Sequence, residues 1–368
     1  MKNNRTFLEK LLNGAEVEWK PLGKVTDIKT GQSVSKNIIA QNPGIYPVIN
    51  SGREPLGFIN EWNTENDPIG ITTRGAGVGS ITWQEGKYFR GNLNYSVTIK
   101  SEYELNVRFL YHVLIHFQKE IHNLCSFTGI PALNASELKK LEIPIPPLPV
   151  QTKIVKILDA LTALTSELTS ELTLRRKQYE YYREKLLSFD SLEQLNIGGG
   201  AKKKLIDVAK IKNGKDWKHL GEGDIPIYGS GGIMGYVDTY SYDKPTVLIP
   251  RKGSITNIFY LEEPFWNVDT IYYTEINTTQ ILPKYFFHFM KTVDLAKLDT
   301  GSGRPSLTQA ILNEIPIFVP SIEEQHRIVS ILDKFEALTN SITEGLPLAI
   351  EQSQKRYEYY RESLLNFE

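Results

Sequence analysis

The chain has 368 residues, of which 40% are hydrophobic and 23% charged, as is usual for globular proteins with more than one domain. The net charge of −1 argues against a protein that wraps nucleic acid with its whole surface, and no apolar run is long enough for a membrane span. The polar N-terminus predicts no signal peptide, and the single cysteine, Cys125, predicts a reducing, cytoplasmic location and a packed apolar role for its thiol.

The first predicted domain covers residues 1–149. Residues 20–100 are short β-branched and aromatic runs between Gly, Pro, Asn and Asp, a pattern typical of strands and turns. Residues 106–124 show a helical pattern. Four prolines between 144 and 149 then predict a stiff, extended exit from the domain.

A long spacer helix is predicted within residues 150–190, because the stretch from Gln151 to Phe189 contains neither Gly nor Pro. Its apolar positions step by four and three, which indicates a heptad seam. A helix of about 58 Å is too long to be stable alone and requires a partner helix. The residues predicted at the partner-helix interface are Leu158, Leu161, Leu168, Leu172, Tyr179, Tyr182, Tyr357 and Tyr360.

The same plan then recurs. A polar, Gly-rich segment at 191–204 predicts a flexible linker, residues 205–321 a second domain rich in strands, and residues 322–368 a second spacer helix. Gly345 and Pro347 should break that helix.

The two spacer helices are near copies. "QTKIVKILDALTALT" from Gln151 matches "QHRIVSILDKFEALT" from Gln325 at nine of fifteen positions, and "QYEYYREKLLSF" from Gln178 matches "RYEYYRESLLNF" from Arg356 at nine of twelve. The predicted fold class is therefore α+β. Two globular domains of mixed β-sheet and helices are separated by an antiparallel two-helix coiled coil, with an internal pseudo-two-fold repeat.

Three short loop motifs recur in both domains: a cation before glycine, a serine before glycine, and a Gly-x-Pro turn in which an arginine of the second copy replaces Ile130 of the first. Arginine beside bare backbone suits contact with guanine edges or phosphate, although a solvated turn cation is the alternative. The candidate DNA-binding residues are Arg53, Arg74, Arg251, Lys252, Arg304, Ser51 and Ser230, with Lys29, Lys36, Lys87 and Arg90 as further phosphate candidates. Arg53 has no counterpart in the second copy, as expected for a specificity position and also for neutral drift.

The sequence contains no Walker motif, no Asn-Pro-Pro-Tyr or Asp-Pro-Pro-Tyr methyltransferase motif and no zinc-ligand pattern. His112 and His116 have the spacing of metal-binding helices, but their segment is apolar, so they are predicted to be core or interface residues. The chain is thus expected to have no catalytic residues, no metal site and no cofactor of its own.

Two divergent domains, each followed by a near-identical helix with a "QYEYYR"-type cluster, resemble the specificity subunit of type I DNA restriction–modification enzymes. The tetrad run "LTSELTSELT" in the first helix and the opening "FLEKLLNGAEVEWKPLG" carry the same resemblance. The resemblance implies that each domain reads one half of a bipartite site in double-stranded DNA. It also implies that the helices set the spacer and hold two adenine-methyltransferase modification subunits, joined in restricting systems by a motor–nuclease subunit. The alternative is a protein-binding coiled-coil scaffold with duplicated interaction domains.

Overall fold

The computed structural model describes residues 6–52, 54–194, 200–301 and 303–367, so the candidate Arg53 lies outside the described residues. The chain divides into two compact units: unit 1 comprises Met1–Glu167 and Ile350–Glu368, and unit 2 comprises Leu168–Ala349. The helices of the described residues are α1 (Phe7–Leu12), α2 (Leu22–Val25), α3 (Lys36–Gln41), α4 (Val107–His116), α5 (Gln118–Asn123), α6 (Ala135–Leu138), α7 (Leu148–Leu187), α8 (Phe189–Gln194), α9 (Leu205–Val208), α10 (Pro283–Met290), α11 (Gln309–Asn313), α12 (Ile322–Asn340) and α13 (Gly345–Leu365), with a 3-10 helix at Leu295–Leu298.

Unit 1 is built from two four-stranded sheets and one strand pair, and unit 2 from a four-stranded sheet, a three-stranded sheet and one strand pair, in the part of the chain that the structure describes. The strands are β1 (Glu18–Pro21), β2 (Thr26–Thr30), β3 (Pro43–Ile49), β4 (Phe58–Ile59), β5 (Thr64–Glu65), β6 (Ile69–Thr72), β7 (Ile81–Trp83), β8 (Lys87–Arg90), β9 (Asn94–Ile99), β10 (Glu142–Ile145), β11 (Ala201–Lys204), β12 (Ala209–Lys212), β13 (Ile225–Gly229), β14 (Gly232–Val237), β15 (Thr246–Pro250), β16 (Phe259–Leu261), β17 (Trp266–Asn267), β18 (Ile271–Ile276) and β19 (Pro316–Val319).

The two units have the same sheet topology. The order β2-β9-β6-β7 in unit 1 corresponds to β12-β18-β15-β16 in unit 2, and both sheets are antiparallel. The second sheet contains one parallel pair in each unit, β3 with β8 and β13 with β17. Unit 1 adds the short strand β5 to this sheet. The sequence repeat is therefore a structural repeat.

The core of each unit lies where its antiparallel sheet packs against the helix that follows the last strand of that sheet. β6 and β15 are buried at every position, as expected for short apolar runs covered on both faces. In unit 1, Phe109 and Leu110 of α4 are fully buried, and in unit 2, Tyr285 and Phe286 of α10 are fully buried. Burial of such side chains contributes about 2–3 kcal/mol each and fixes the helix on the sheet.

The long helices pair within each unit. In unit 2, Tyr179 of α7 stacks on Phe335 of α12 with ring centroids 6.3 Å apart, and Arg176 Nη2 donates to the carbonyl of Thr339 at 3.4 Å. The later residue on α7, Tyr179, contacts the earlier residue on α12, Phe335, so the two helices are antiparallel. In unit 1, Thr165 Oγ1 lies 2.8 Å from Ser353 Oγ of α13.

The second spacer helix is broken, as predicted. Its first part, α12, ends at Asn340, and its second part, α13, begins at Gly345. Gly345 has a φ of +75°, and a Cβ there would lie 2.5 Å from the carbonyl oxygen of Ala337. Only glycine allows that close approach of the backbone. Pro347 follows in the first turn of α13, where its missing N–H costs no helical hydrogen bond.

The predicted linker at 191–204 lies partly outside the described residues, at 195–199, and its described ends belong to regular elements. The predicted proline exit is extended at Pro144, whereas Pro149 lies in the first turn of α7. α8 occupies the start of the linker, and β11 at its end pairs with β19. Pro144 lies inside β10, which pairs only with β1 among the described strands. Prolines fit such two-stranded pairs because one side of the strand needs no ladder hydrogen bond. The lysine-rich β11 has no apolar pattern, so backbone pairing rather than side-chain burial fixes it.

Across the described residues, no helix combines the length and the apolar character that crossing a membrane requires.

Candidate nucleic-acid interface

Equivalent turns follow β6 in unit 1 and β15 in unit 2. Gly75 and Gly253 have φ angles of +88° and +86°, which favour glycine over any other residue. The N–H of Gly75 donates to the carbonyl of Pro131, and the N–H of Gly253 donates to the carbonyl of Pro305, each at 3.0 Å. The structural counterpart of the residue before Gly75 is therefore the residue before Gly253.

The sequence alone did not decide whether Arg74 corresponds to Arg251 or to Lys252, and the structure decides it. Arg74 forms a β-bridge with Ala132, and Lys252 forms the same bridge with Ser306. Arg74 corresponds to Lys252, while Arg251 occupies the position of Thr73. Arg74 is exposed, whereas Arg251 and Lys252 are partly buried.

Each turn is backed by a Gly-x-Pro loop, which we define as residues 126–132 in unit 1 and 300–306 in unit 2. Both loops are closed by the same backbone hydrogen bond, from Ser126 to Ala132 at 2.8 Å and from Thr300 to Ser306 at 3.0 Å. In unit 2, Asp299 Oδ1 accepts from the N–H groups of Ser306 and Gly301, each at 2.8 Å, and these two bonds lower the pKa of that carboxyl. In unit 1, the equivalent Ala132 N–H donates to the Ser126 carbonyl instead, at 3.0 Å. The described parts of the two loops therefore share the closing bond but differ in the second one.

The predicted serines lie beside these turns. A Cβ on Gly77 would lie 3.0 Å from the carbonyl oxygen of Ser51, and a Cβ on Gly253 would lie 3.2 Å from Ser230 Oγ. The same Cβ would lie 3.5 Å from Nη2 of Arg304. Unit 2 therefore brings together the cation–glycine turn, the serine turn and the Gly-x-Pro loop, as three loops from separate parts of its sequence.

Arg304 and Arg251, two candidate cations in unit 2, differ in how strongly contacts within their own domain hold their side chains. Arg304 is exposed beside the bare backbone of Gly253. Arg251 instead donates through Nη1 to the carbonyl of Asp269 at 3.3 Å, and its guanidinium lies 5.9 Å from the ring of Tyr272. Arg251 is partly held by its own domain, so Arg304 is better placed to meet a ligand.

The further phosphate candidates also differ in whether their side chains are buried or exposed. Arg90 was predicted to contact phosphate, and this is wrong because its side chain is buried. Its guanidinium donates to the carbonyls of Ile69 and Tyr95 at 3.0 Å and of Asp67 at 2.7 Å. Burial lowers the pKa of this guanidinium. Lys87 lies 4.4 Å from the ring of Trp62, and Lys29 and Lys36 are exposed.

Sequence reasoning missed a pair of anchors that join each domain to its long helix. Buried Gln151 accepts from the Asn106 N–H at 2.8 Å and donates to the carbonyl of Pro146 at 2.8 Å. Gln325 repeats both bonds with Leu282 at 2.8 Å and Pro320 at 2.9 Å. The signal was available, since both glutamines begin the duplicated fifteen-residue segments.

Each unit also has a histidine–aspartate pair between the helix that follows its sheet and its long helix. His112 Nε2 lies 2.8 Å from Asp159 Oδ1, and His288 Nε2 lies 2.8 Å from Asp333 Oδ1. Burial lowers the pKa of both histidines, more than the neighbouring aspartate raises it. The prediction that His112 is a core or interface residue is confirmed by its burial.

Ligand atoms of His288, Asp333 and Glu336 lie within 4.8 Å of one another. Lys284 binds the carboxylate of Asp333 at 2.8 Å, and Lys291 binds that of Glu336 at 3.2 Å. Ion pairing accounts for this cluster, so we assign no metal to it.

The residues predicted at the partner-helix interface fall into three groups. Leu158 and Tyr179 are buried in the cores of units 1 and 2, respectively. Tyr182 and Tyr360 are 41% and 37% exposed. The remaining four are partly buried: Leu161, Leu168, Leu172 and Tyr357.

Each unit carries an exposed pair of adjacent tyrosines on its long helix. The rings of Tyr181 and Tyr182 meet edge to face at 5.3 Å, and those of Tyr359 and Tyr360 do so at 5.4 Å. Tyr181 is 57% and Tyr359 67% exposed. Both copies of the duplicated segment thus present an exposed aromatic ring at the same position.

Comparisons with known proteins agree with this architecture. The type I restriction modification DNA specificity domain matches twice, at residues 15–174 and 200–352. A protein of Haemophilus influenzae named as a type I restriction enzyme specificity subunit is 42% identical over 100% of both chains. A type I restriction enzyme specificity subunit of Escherichia coli is 32% identical over 98% of this chain and 97% of its own.

A solved structure has the same fold. The S subunit of a type I restriction–modification system from M. genitalium superimposes with a TM-score of 0.67 over 97% of this chain and 98% of its own, at 24% identity. The repeated domain, the relatives that match along their whole length and the shared fold together place the chain in the family of type I restriction–modification DNA specificity subunits.

Proposed function

We propose that this chain is the non-catalytic subunit that recognises DNA in a type I restriction–modification complex of the cytoplasm. Each unit reads one half of a bipartite site in double-stranded DNA. The observation that carries this proposal is the group of three loops that is built twice, with exposed Arg74 in unit 1 and exposed Arg304 in unit 2. Turns that offer arginine beside bare backbone suit base edges and phosphates.

The near-neutral charge bears on how tightly the chain binds DNA by itself. Because 43 acidic residues offset 42 Lys and Arg, the chain as a whole exerts little net attraction on DNA, so its affinity alone should be weak at physiological salt. Two adenine-methyltransferase modification subunits supply the remaining contacts and the chemistry, and a motor–nuclease subunit joins in restricting systems.

The exposed tyrosine pairs are the docking residues that we propose for the two modification subunits. Two equivalent partners need two equivalent surfaces, and Tyr181 and Tyr359 supply exposed aromatic rings at equivalent places. Tyrosine is among the residues that dominate binding energy at protein interfaces.

We propose further that the paired long helices act as the spacer between the two half-sites. The tetrad "LTSE" occurs twice in α7, at Leu164–Glu167 and Leu168–Glu171. Inserting or removing one tetrad keeps the apolar seam nearly in phase and changes helix length by about 6 Å. That length corresponds to between one and two base pairs of DNA.

Methylome sequencing tests recognition. A host that carries the modification subunits is sequenced with and without this chain. We expect a split motif with methylated adenines only when the chain is present. Exchanging residues 205–321 for those of a relative should change one half of the motif and leave the other half unchanged. A methylome that does not depend on this chain would favour the protein-binding scaffold.

Docking is tested by measuring assembly with the modification subunit. Replacing Tyr181 and Tyr359 by alanine should weaken binding by about 10-fold or more at each surface. Tyr240, which is 50% exposed in unit 2, provides the control as Tyr240→Ala. Unchanged assembly of the double variant would show that the tyrosine pairs are not the docking residues.

A further inference from the structure

The two Gly-x-Pro loops carry different chemistry at one structurally equivalent position. The loops share their closing hydrogen bond, their contact with the cation–glycine turn and their constant offset of 174 residues. Between the shared glycine and proline, unit 1 has Ile130 and unit 2 has Arg304. Whatever ligand faces this position meets an apolar side chain in one unit and a guanidinium in the other.

The apolar side chain in unit 1 is not explained by packing. Ile130 is 75% exposed, and Phe127 on the same loop is 54% exposed. Two large apolar residues exposed on one short loop indicate a contact surface rather than a contribution to the core. Arg74, in the turn bridged to this loop at Ala132, supplies a cation next to the surface.

The arginine in unit 2 lies beside the cation–glycine turn. A Cβ at Gly253 would lie 3.2 Å from the hydroxyl of Ser230 and 3.5 Å from Nη2 of Arg304. Because residue 253 is glycine, the surface between these polar groups stays open. A guanidinium beside an open backbone surface can approach a planar base edge with two parallel donors.

Base-pair chemistry then distinguishes the two positions. In the major groove, guanine presents the acceptors O6 and N7, which arginine binds with two hydrogen bonds, and thymine presents a methyl group, which apolar side chains contact. We propose that Arg304 reads a guanine in the half-site of unit 2 and that Ile130 reads the thymine methyl at the corresponding position in the half-site of unit 1. This inference rests on the proposed function and adds a base assignment to it.

The test uses the whole chain assembled with its modification subunits, S-adenosylmethionine and a DNA library randomised over both half-sites. Methylated products are sequenced. With Arg304→Leu, we expect the preference for guanine at one position of one half-site to fall roughly 10- to 100-fold, as loss of a bidentate contact predicts. With Ile130→Ala, we expect a smaller loss of preference for thymine at one position of the other half-site.

Lys297→Leu is the matched control, because it removes one exposed charge from the same unit outside the loop. It should leave both half-sites unchanged. Assembly and thermal unfolding of each variant show whether the chain folds, and Ile130→Ala should fold normally because the replaced side chain is exposed.

The outcomes separate the inference from the function. If wild type methylates a split motif and Arg304→Leu lowers methylation equally at all sequences, Arg304 contacts phosphate and the inference is overturned while the function stands. The inference also fails if Arg304→Leu or Ile130→Ala leaves every base preference intact. If wild type methylates no split motif, the proposed function itself fails.

Discussion

Units 1 and 2 hold their long helices with the same side chains but carry different side chains on their loops. Gln151 and Gln325 make equivalent buried hydrogen bonds, and His112 and His288 contact equivalent aspartates. The Gly-x-Pro loops instead exchange isoleucine for arginine. Duplicated residues therefore mark what both units must do identically, and divergent residues mark what each unit does alone.

The same comparison applies inside the cores. Arg90 on β8 and Asn267 on β17 occupy the same register opposite the parallel strands β3 and β13. Both are buried, but Arg90 reaches several backbone carbonyls, while Asn267 donates to the Ile271 carbonyl and accepts from Ser241 Oγ, each at 2.9 Å. One buried polar position has thus acquired two different hydrogen-bond networks.

The largest effect is expected from breaking the first of these networks. Arg90→Met leaves buried carbonyls and Asp67 without their cation, and we expect it to lower the free energy of unfolding by about 3–5 kcal/mol. Asn267→Leu should cost about 1–3 kcal/mol, because fewer groups lose a partner. Denaturant unfolding measures both. Lys87→Met on the same strand as Arg90 is the exposed control, and a similar cost for Lys87→Met and Arg90→Met would contradict the prediction.

The glutamine anchors should respond equally in the two units. Gln151→Leu and Gln325→Leu each leave a backbone N–H and carbonyls unpaired at the start of a long helix, so we expect each to cost about 3 kcal/mol. Gln354→Leu on the exposed face of α13 should change stability by less than about 0.5 kcal/mol. A large difference between the two anchor variants would show that the shared residues do not have a shared role.

The sequence predicted the features that depend on periodicity and repetition. The heptad steps and the absence of Gly and Pro predicted α7, and Gly345 with Pro347 predicted the end of α12. The turn glycines predicted the loops near Arg74 and Lys252, because a positive φ restricts the residue type. These signals are local, so a single sequence contains them.

Features that depend on long-range pairing were not predictable in the same way. The strand β11 has no apolar alternation and exists because β19 pairs with it. The burial of Arg90 depends on carbonyls from Asp67 and Ile69, more than twenty residues earlier. A charged residue on a predicted strand looks exposed until its partners are known.

The buried histidines predict a pH dependence that both units share. Burial lowers the pKa of His112 and His288 below the ordinary value of about 6.5, so the folded chain binds fewer protons than the unfolded chain as pH falls past that value. Stability should therefore be complete above about pH 6.5 and decrease below it. His112→Asn and His288→Asn should each remove a similar part of this decrease between pH 7.5 and 5.5.

Denaturant unfolding at several pH values measures that effect. His219→Asn is the control, since the side chain of His219 is 64% exposed. Burial also lowers the pKa of His116 in unit 1. His112 and His116 together should therefore contribute more to the loss of stability at low pH than His288 contributes alone. Stability that rises on acidification from pH 7.5 to 5.5 would contradict the assigned direction.

The smallest effect distinguishes the two cation–glycine turns. Gly75→Ala and Gly253→Ala both force alanine into a left-handed backbone conformation, which costs about 1 kcal/mol. A Cβ at Gly75 meets no atom within 4 Å, whereas at Gly253 it meets Ser230 Oγ at 3.2 Å. Gly253→Ala should thus cost a few tenths of a kcal/mol more, and it should also disturb Ser230 and Arg304. Gly231→Ala, at a glycine without positive φ, is the control and should be nearly neutral in denaturant unfolding. Equal costs for the two turn variants would mean that the serine hydroxyl rotates away and that the unit 2 turn is as open as that of unit 1.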